Sequence, residues 1–168
     1  GRIAVNSIHI NGNGPLAGEI SVQGSKNAVL PILAATILLN GVCILKNCPK
    51  ISDVDCMLGL LRSLGCRAEW EKENLVIDTS PICENRLPGE LVTCMRSSVM
   101  LLGPLLAICK ETTMNYPGGC VIGERPIDIH LHVLEKMGAT FVLEEDSVKG
   151  KALVLKGTDI VLRFPSVG

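Results

Sequence analysis

Two stretches of this chain, residues 28–39 and 99–109, are almost wholly apolar, and the segments between them follow a different rhythm. Both are shorter than the roughly 20 residues that a membrane-spanning helix needs. They read instead as helices buried on all sides, over 26–39 and 96–109. A short β-branched strand comes after each, at 42–45 and at 112–114. Next come stretches with apolar residues on one helical face only, 53–64 and 126–137. In the second, Ile127, Leu131, Leu134 and Met137 form the stripe. Asp53 and Pro126 suit the starts of these amphipathic helices, and Gly65 and Gly138 suit their C-terminal caps. Strands at 67–71 with 75–78, and at 140–144 with 152–155, close the pattern. Pro31, Gly103 and Pro104 predict kinks or late starts in the apolar helices.

The pattern therefore occurs twice. Lys26 and Arg96 stand 70 positions apart, as do Val29 and Val99. Further on the offset is 73, matching Asp55 with Asp128, Leu58 with Leu131, Leu61 with Leu134, Gly65 with Gly138 and Glu71 with Glu144. The second copy holds three extra residues between 114 and 126, and an insertion in one copy of a repeat marks a functional loop. An all-apolar helix beside a one-sided helix puts the first in the centre and the second further out, with sheets covering both. The fold class is α/β, built from repeated βαβαββ units around buried helices. The units run over about 25–90 and 91–164, after an N-terminal segment, 1–24, with a strand-like run at 7–10. A third copy would begin near residue 166, so the pattern predicts a partial domain.

Charge and composition narrow the function. A net charge of -1 leaves no footprint for nucleic acid or acidic membrane, and 2% aromatic residues leave little for base stacking. The eight cysteines include no C-x-x-C pair, so the usual zinc and redox spacings are absent. Cys56, Cys66 and Cys109 sit in apolar patterns where a free thiol acts as a small hydrophobe. A reducing cytoplasm is the expected setting. A thiol-redox protein is the competing reading, and it predicts several low-pKa thiols rather than one.

The extra residues fall in a loop containing Pro117, Gly118, Gly119, Cys120, Ile122, Gly123, Arg125 and Pro126. Its glycines allow close approach to a ligand, and Arg125 would favour the Cys120 thiolate. By itself such a cysteine reads equally as an inert surface thiol. Lys26 and Arg96 open the two apolar helices, where the helix dipole disfavours a cation. At equivalent positions in two copies, they suit a bound phosphate or carboxylate. Asn27 adds an amide beside Lys26. Asp128 in a first helical turn is explained by the dipole alone. His130 and His132 are two apart and point to different faces, so they make no metal site.

These residues carry a resemblance. The runs Gly24-Ser25-Lys26-Asn27-Ala28 and Met95-Arg96-Ser97-Ser98, the cysteine loop through Arg125-Pro126-Ile127-Asp128, and the closing Ser166-Val167-Gly168 occur in this order. The chain resembles the N-terminal part of the UDP-N-acetylglucosamine enolpyruvyl (1-carboxyvinyl) transferase family over nearly its whole length. The resemblance implies an inside-out α/β barrel of six repeated units in two domains. It implies transfer of enolpyruvyl from phosphoenolpyruvate to the 3'-hydroxyl of UDP-N-acetylglucosamine with release of phosphate, the first committed step toward peptidoglycan. No cofactor or metal is implied.

By the same resemblance, Cys120 protonates the methylene carbon of phosphoenolpyruvate and is the thiol that fosfomycin alkylates. Lys26, Arg96 and Arg125 neutralise phosphate and carboxylate, and Asn27 holds the sugar nucleotide. Arg125, Pro126, Ile127, Asp128 and Ile129 line the uridine-diphosphate site. Phe164, Pro165, Ser166, Val167 and Gly168 form its far wall. Some family members carry a lysine where Phe164 stands, so one charge contact is absent here. The family is more than twice as long, and its second domain supplies a catalytic aspartate and another arginine. The expectation is a fragment with half a site, whose segment 1–24 leaves an apolar face open to solvent or to a second copy. The sister 5-enolpyruvylshikimate-3-phosphate synthases share the chemistry but lack the cysteine loop. A non-catalytic binding or assembly module is the alternative of another class.

Overall fold

The computed structural model describes residues 9–12, 14–117 and 127–162. The first apolar run is helical in two parts, α1 (Lys26–Ala35) and a 3-10 segment (Thr36–Leu39). Pro31 lies inside α1 without ending it, because the hydrogen bond it removes reaches back only to the first turn. The second run also divides, into a 3-10 segment (Arg96–Leu101) and α4 (Leu102–Cys109). Gly103 and Pro104 fall in the first turn of α4, where a missing N–H costs little.

The remaining elements are β1 (Val42–Leu45), α2 (Ser52–Ser63), β2 (Arg67–Glu71) and β3 (Asn74–Asp78) in the first unit. The second has α3 (Gly89–Cys94), β4 (Glu111–Asn115), α5 (Asp128–Lys136), β5 (Thr140–Leu143) and β6 (Ser147–Lys151). Each unit forms a three-stranded sheet of the same topology, β1-β3-β2 and β4-β6-β5, with antiparallel neighbours. In both, the last strand lies between the other two. The repeat extends to backbone details. Asn40 and Lys110 take left-handed conformations after the apolar helices, with φ 47° and 66°. Gly65 and Gly138 do the same after the amphipathic helices, with φ 98° and 109°.

Three expectations change. The last strand is Ser147–Lys151, not 152–155. The Glu144 N–H donates to the Ser147 carbonyl at 2.8 Å, so the chain reverses directly after β5. Ser147, Val148 and Gly150 are then buried, while the apolar Leu153 and Val154 lie exposed beyond the sheet. Helix α3 was not expected, being six residues behind Pro88. The opening strand of the βαβαββ unit is reduced in the second copy to a parallel bridge between Arg86 and Thr113. Among the described residues β1 has no such neighbour.

The core lies between α1, α2, α4 and the 3-10 segments. Leu33, Ile37, Leu58, Leu61, Leu101, Leu105 and Leu106 are buried there, each worth about 1.5–3 kcal/mol relative to exposure. The apolar helices are not buried on all sides, however. Ile32, Leu38, Leu39 and Ile108 face outward, since two units supply neighbours to one flank only. The two sheets stay separate, and the barrel is not closed among the described residues. Ile10, Leu16, Ile20 and Val22 are exposed, and His9 and Ile10 lie in no strand; residues 7 and 8 lie outside the described residues. Among the described residues, no helix is long and apolar enough to cross a membrane.

Candidate functional site

The chain enters α1 under tight constraint. Gly24 lies so near the Asn47 carbonyl that any side chain would strike it. The Ser25 carbonyl then accepts from the Ala28 and Val29 N–H groups at 3.2 and 3.0 Å, which fixes Lys26 as the first helical residue. Its ammonium is half exposed and pairs with the Asp53 carboxylate of α2 at 2.5 Å. That carboxylate offsets a cation which the α1 dipole disfavours, and it sits in the favourable first turn of α2. An exposed pair of this kind contributes only about 0–1 kcal/mol. An incoming phosphate can therefore compete for Lys26. Asn27 is exposed beside it.

Arg96 occupies the equivalent place in the second unit, exposed at the start of its 3-10 segment. The buried Ser98 hydroxyl donates to the Met95 carbonyl at 2.7 Å, with the Val92 carbonyl at 3.1 Å. This ties the segment to the end of α3. Burial first, and then the Arg96 charge, hold His130 of α5 below the usual imidazole range. Each unit thus sets the leading cation against its own amphipathic helix, facing Asp53 in one and His130 in the other.

Ile127 is buried just before α5, Asp128 stands in the first turn, and Ile129 is half buried. Asp128, Ile129, His132 and Leu162 line a hollow of about 300 Å³. His132 in that hollow was missed in sequence; the H-x-H spacing said only that its ring diverges from His130. On the other side of the cysteine loop, the Tyr116 hydroxyl donates to the Glu144 carbonyl at 3.2 Å. The Tyr116 N–H donates to the Asp146 carbonyl at 3.1 Å. The loop therefore departs from a pinned Tyr116 and returns to a buried Ile127. Cys120, with Gly118, Gly119, Gly123, Arg125 and Pro126, lies outside the described residues, as do Phe164, Pro165, Ser166, Val167 and Gly168.

The chain is similar to known proteins over nearly its whole length. Residues 10–168 match the family described as EPSP synthase (3-phosphoshikimate 1-carboxyvinyltransferase). The UDP-N-acetylglucosamine 1-carboxyvinyltransferase of Oleidesulfovibrio alaskensis is 46% identical over 167 residues, covering 98% of this chain and 39% of that protein. UDP-N-acetylglucosamine 1-carboxyvinyltransferase 2 of Caldanaerobacter subterraneus subsp. tengcongensis is 42% identical over 159 residues, covering 95% and 38%. The chain thus spans about two fifths of the length of these relatives. Among solved structures, the enolpyruvyl transferase NikO from Streptomyces tendae aligns with a TM-score of 0.73 at 23% identity, covering 86% of this chain and 32% of that one. An EPSP synthase from Acinetobacter baumannii aligns with a TM-score of 0.65 at 20% identity, covering 89% and 35%. The likeness to both supports the α/β fold of this class. With its family match running from residue 10 to residue 168, the chain belongs to the EPSP synthase (3-phosphoshikimate 1-carboxyvinyltransferase) family.

Proposed function

We propose that this chain is the loop-bearing portion of an enzyme that transfers enolpyruvyl from phosphoenolpyruvate to the 3'-hydroxyl of UDP-N-acetylglucosamine, releasing phosphate. The observation that carries the reading is identity of 42–46% to proteins named for that transfer, over 95–98% of this chain. The site chemistry supports it. Phosphoenolpyruvate brings a phosphate and a carboxylate close together, and such charge needs several fixed cations once water is excluded. Lys26 and Arg96 are held at equivalent helix entrances, and Arg125 lies at the end of the cysteine loop.

In this reading Cys120 is the acid. Its S–H delivers a proton to the methylene carbon while the sugar hydroxyl gives up its own proton to a base and adds to the neighbouring carbon. Proton loss and departure of phosphate then restore the double bond. Lys26, Arg96 and Arg125 hold the anionic groups, and Asn27 holds the sugar nucleotide. Arg125, Pro126, Ile127, Asp128 and Ile129 line the diphosphate site, and the hollow beside Asp128 and Ile129 is the described part of it. Phe164, Pro165, Ser166, Val167 and Gly168 close the far wall. Cys120 is also the thiol that fosfomycin would alkylate.

The 168 residues taken alone bind without turning over, in this proposal, because the remaining three fifths of the relatives' length contributes further catalytic groups. Mixing the chain with the complementary C-terminal part of the Oleidesulfovibrio alaskensis relative tests this. Phosphate release that requires both parts and UDP-N-acetylglucosamine supports the enzyme. Release that requires shikimate 3-phosphate points to the sister activity. Firm association with no release under either substrate points to a binding module.

A further inference from the structure

We propose that Cys56 and Cys94 form a reversible disulfide that clasps α3 to α2. Helices α2 and α3 meet at Gly59, where the Leu91 methyls stand 3.7 Å from the place a Cβ would take. Cys56 is one turn before Gly59 on the same face. Its Sγ lies 3.7 Å from the Leu91 carbonyl, while the Cys94 Sγ lies 3.1 Å from the adjacent Glu90 carbonyl. Both thiols thus sit at consecutive carbonyls of α3, with Cys94 close enough to act on the Cys56 thiol. Cys94 is exposed and Cys56 partly so, so a small oxidant reaches the pair.

The other cysteines offer a contrast. Cys66 is near Cys83 and Cys109, but it is buried, and desolvation pushes its thiol up to about 11. It is a poor nucleophile for exchange. Burial and the neighbouring Cys94 also raise the Cys56 thiol. Cys94, the more exposed of the two, is the first to meet the oxidant.

The oxidant is a small-molecule disulfide of the glutathione type. The Cys94 thiolate attacks one of its sulfurs, expels one small thiolate and forms a mixed disulfide. Cys56 then loses its proton to water and attacks the Cys94 sulfur, expelling the second small thiolate. Two protein thiols are oxidised to one disulfide, and one small disulfide is reduced to two thiols.

The clasp has a consequence for the candidate site. Arg96 comes after Cys94 by a single intervening residue, and the Ser98 hydroxyl already ties its segment to the end of α3. Fixing Cys94 therefore fixes where Arg96 begins. This consequence rests on reading Arg96 as a ligand cation; the clasp itself does not.

The full chain is incubated with glutathione disulfide, blocked with an alkylating agent and digested with trypsin. Cleavage after Lys50 and Arg62, and after Arg86 and Arg96, leaves Cys56 and Cys94 each as the single cysteine of its peptide. The expected product is these two peptides joined, lighter by two hydrogens than their sum and separated again by a reductant. The oxidised chain should melt roughly 4–8 °C higher. Cys94→Ser should abolish the joined product, and Cys83→Ser should keep it. A Cys94 that stops at the mixed disulfide, or a Cys56 joined to any other cysteine, overturns the clasp. A joined product with unchanged phosphoenolpyruvate affinity in the complemented protein overturns only the consequence for Arg96.

Discussion

The two repeat units share a topology and differ in the connection that leaves their first strand. In the first unit β1 connects to α2 through residues 46–51, and Gly24 and Asn47 pack that passage against the start of α1. In the second, β4 connects to α5 through residues 116–127, a longer span that holds the three extra residues of the repeat and runs from a pinned Tyr116 to a buried Ile127. The first unit closes its cation onto Asp53, whereas the second sets its cation beside a neutral imidazole. One leading cation is thus paired with a carboxylate, and the other stands exposed beside an imidazole.

Equivalent core positions should separate the units most strongly. Leu61 of α2 is fully buried, and its counterpart Leu134 of α5 is only partly so. Leu61→Ala should cost about 2–5 kcal/mol in urea unfolding, and Leu134→Ala clearly less. Equal costs would mean that the units are packed alike.

The cations give the next contrast, in the complemented protein. Arg96→Ala should weaken phosphoenolpyruvate binding roughly 10- to 100-fold, the scale of a charged hydrogen bond. Asp53→Asn should instead tighten it, by up to about fivefold, because Lys26 is released from an exposed pair. Weaker binding in Asp53→Asn would show that the carboxylate orients Lys26 rather than competing with the ligand.

The capping glycines differ less. A Cβ at Gly65 would stand 2.8 Å from both the Cys83 Sγ and the Pro81 carbonyl, whereas at Gly138 the nearest atom is the Val154 carbonyl at 3.1 Å. Both substitutions to alanine carry the left-handed strain of about 1–2 kcal/mol. Thermal unfolding should show the larger loss for Gly65→Ala.

The smallest effect is a pH dependence confined to the second unit. His130 stands where the first unit has Met57. Its folded pKa lies below the unfolded value, so the unfolded chain takes up the proton first. The contribution is present above about pH 6.5 and is lost as pH falls through that value toward the folded pKa. His130 keeps part of its surface in water, so the effect is small. The urea midpoint should fall between pH 7 and 5.5 more in the parent chain than in His130→Gln.

Much of this fold was legible in the chain itself. The stripe of Leu58 and Leu61, the caps at Gly65 and Gly138, and the offset between the copies are local signals that packing reinforces. The misread elements depend on partners distant in sequence. Ser147–Lys151 looks like loop until β4 and β5 flank it, and α3 is too short for a periodic signal. The all-apolar helices read as fully enclosed because a run with no polar face gives no direction to its burial, and Ile32, Leu38, Leu39 and Ile108 face outward. Of the candidate site, Lys26 and Arg96 were found from their positions in the repeat. The Asp53 partner and the His132 hollow were not, because a side chain's partner is set by tertiary approach.

The most direct test of the account is phosphate release by the complemented protein with Cys120 intact and with Cys120→Ala. With Cys120 as the acid, release should depend on UDP-N-acetylglucosamine and fall by roughly 10²- to 10⁴-fold in the variant, the range for loss of a general acid. Equal rates for the two proteins would contradict it.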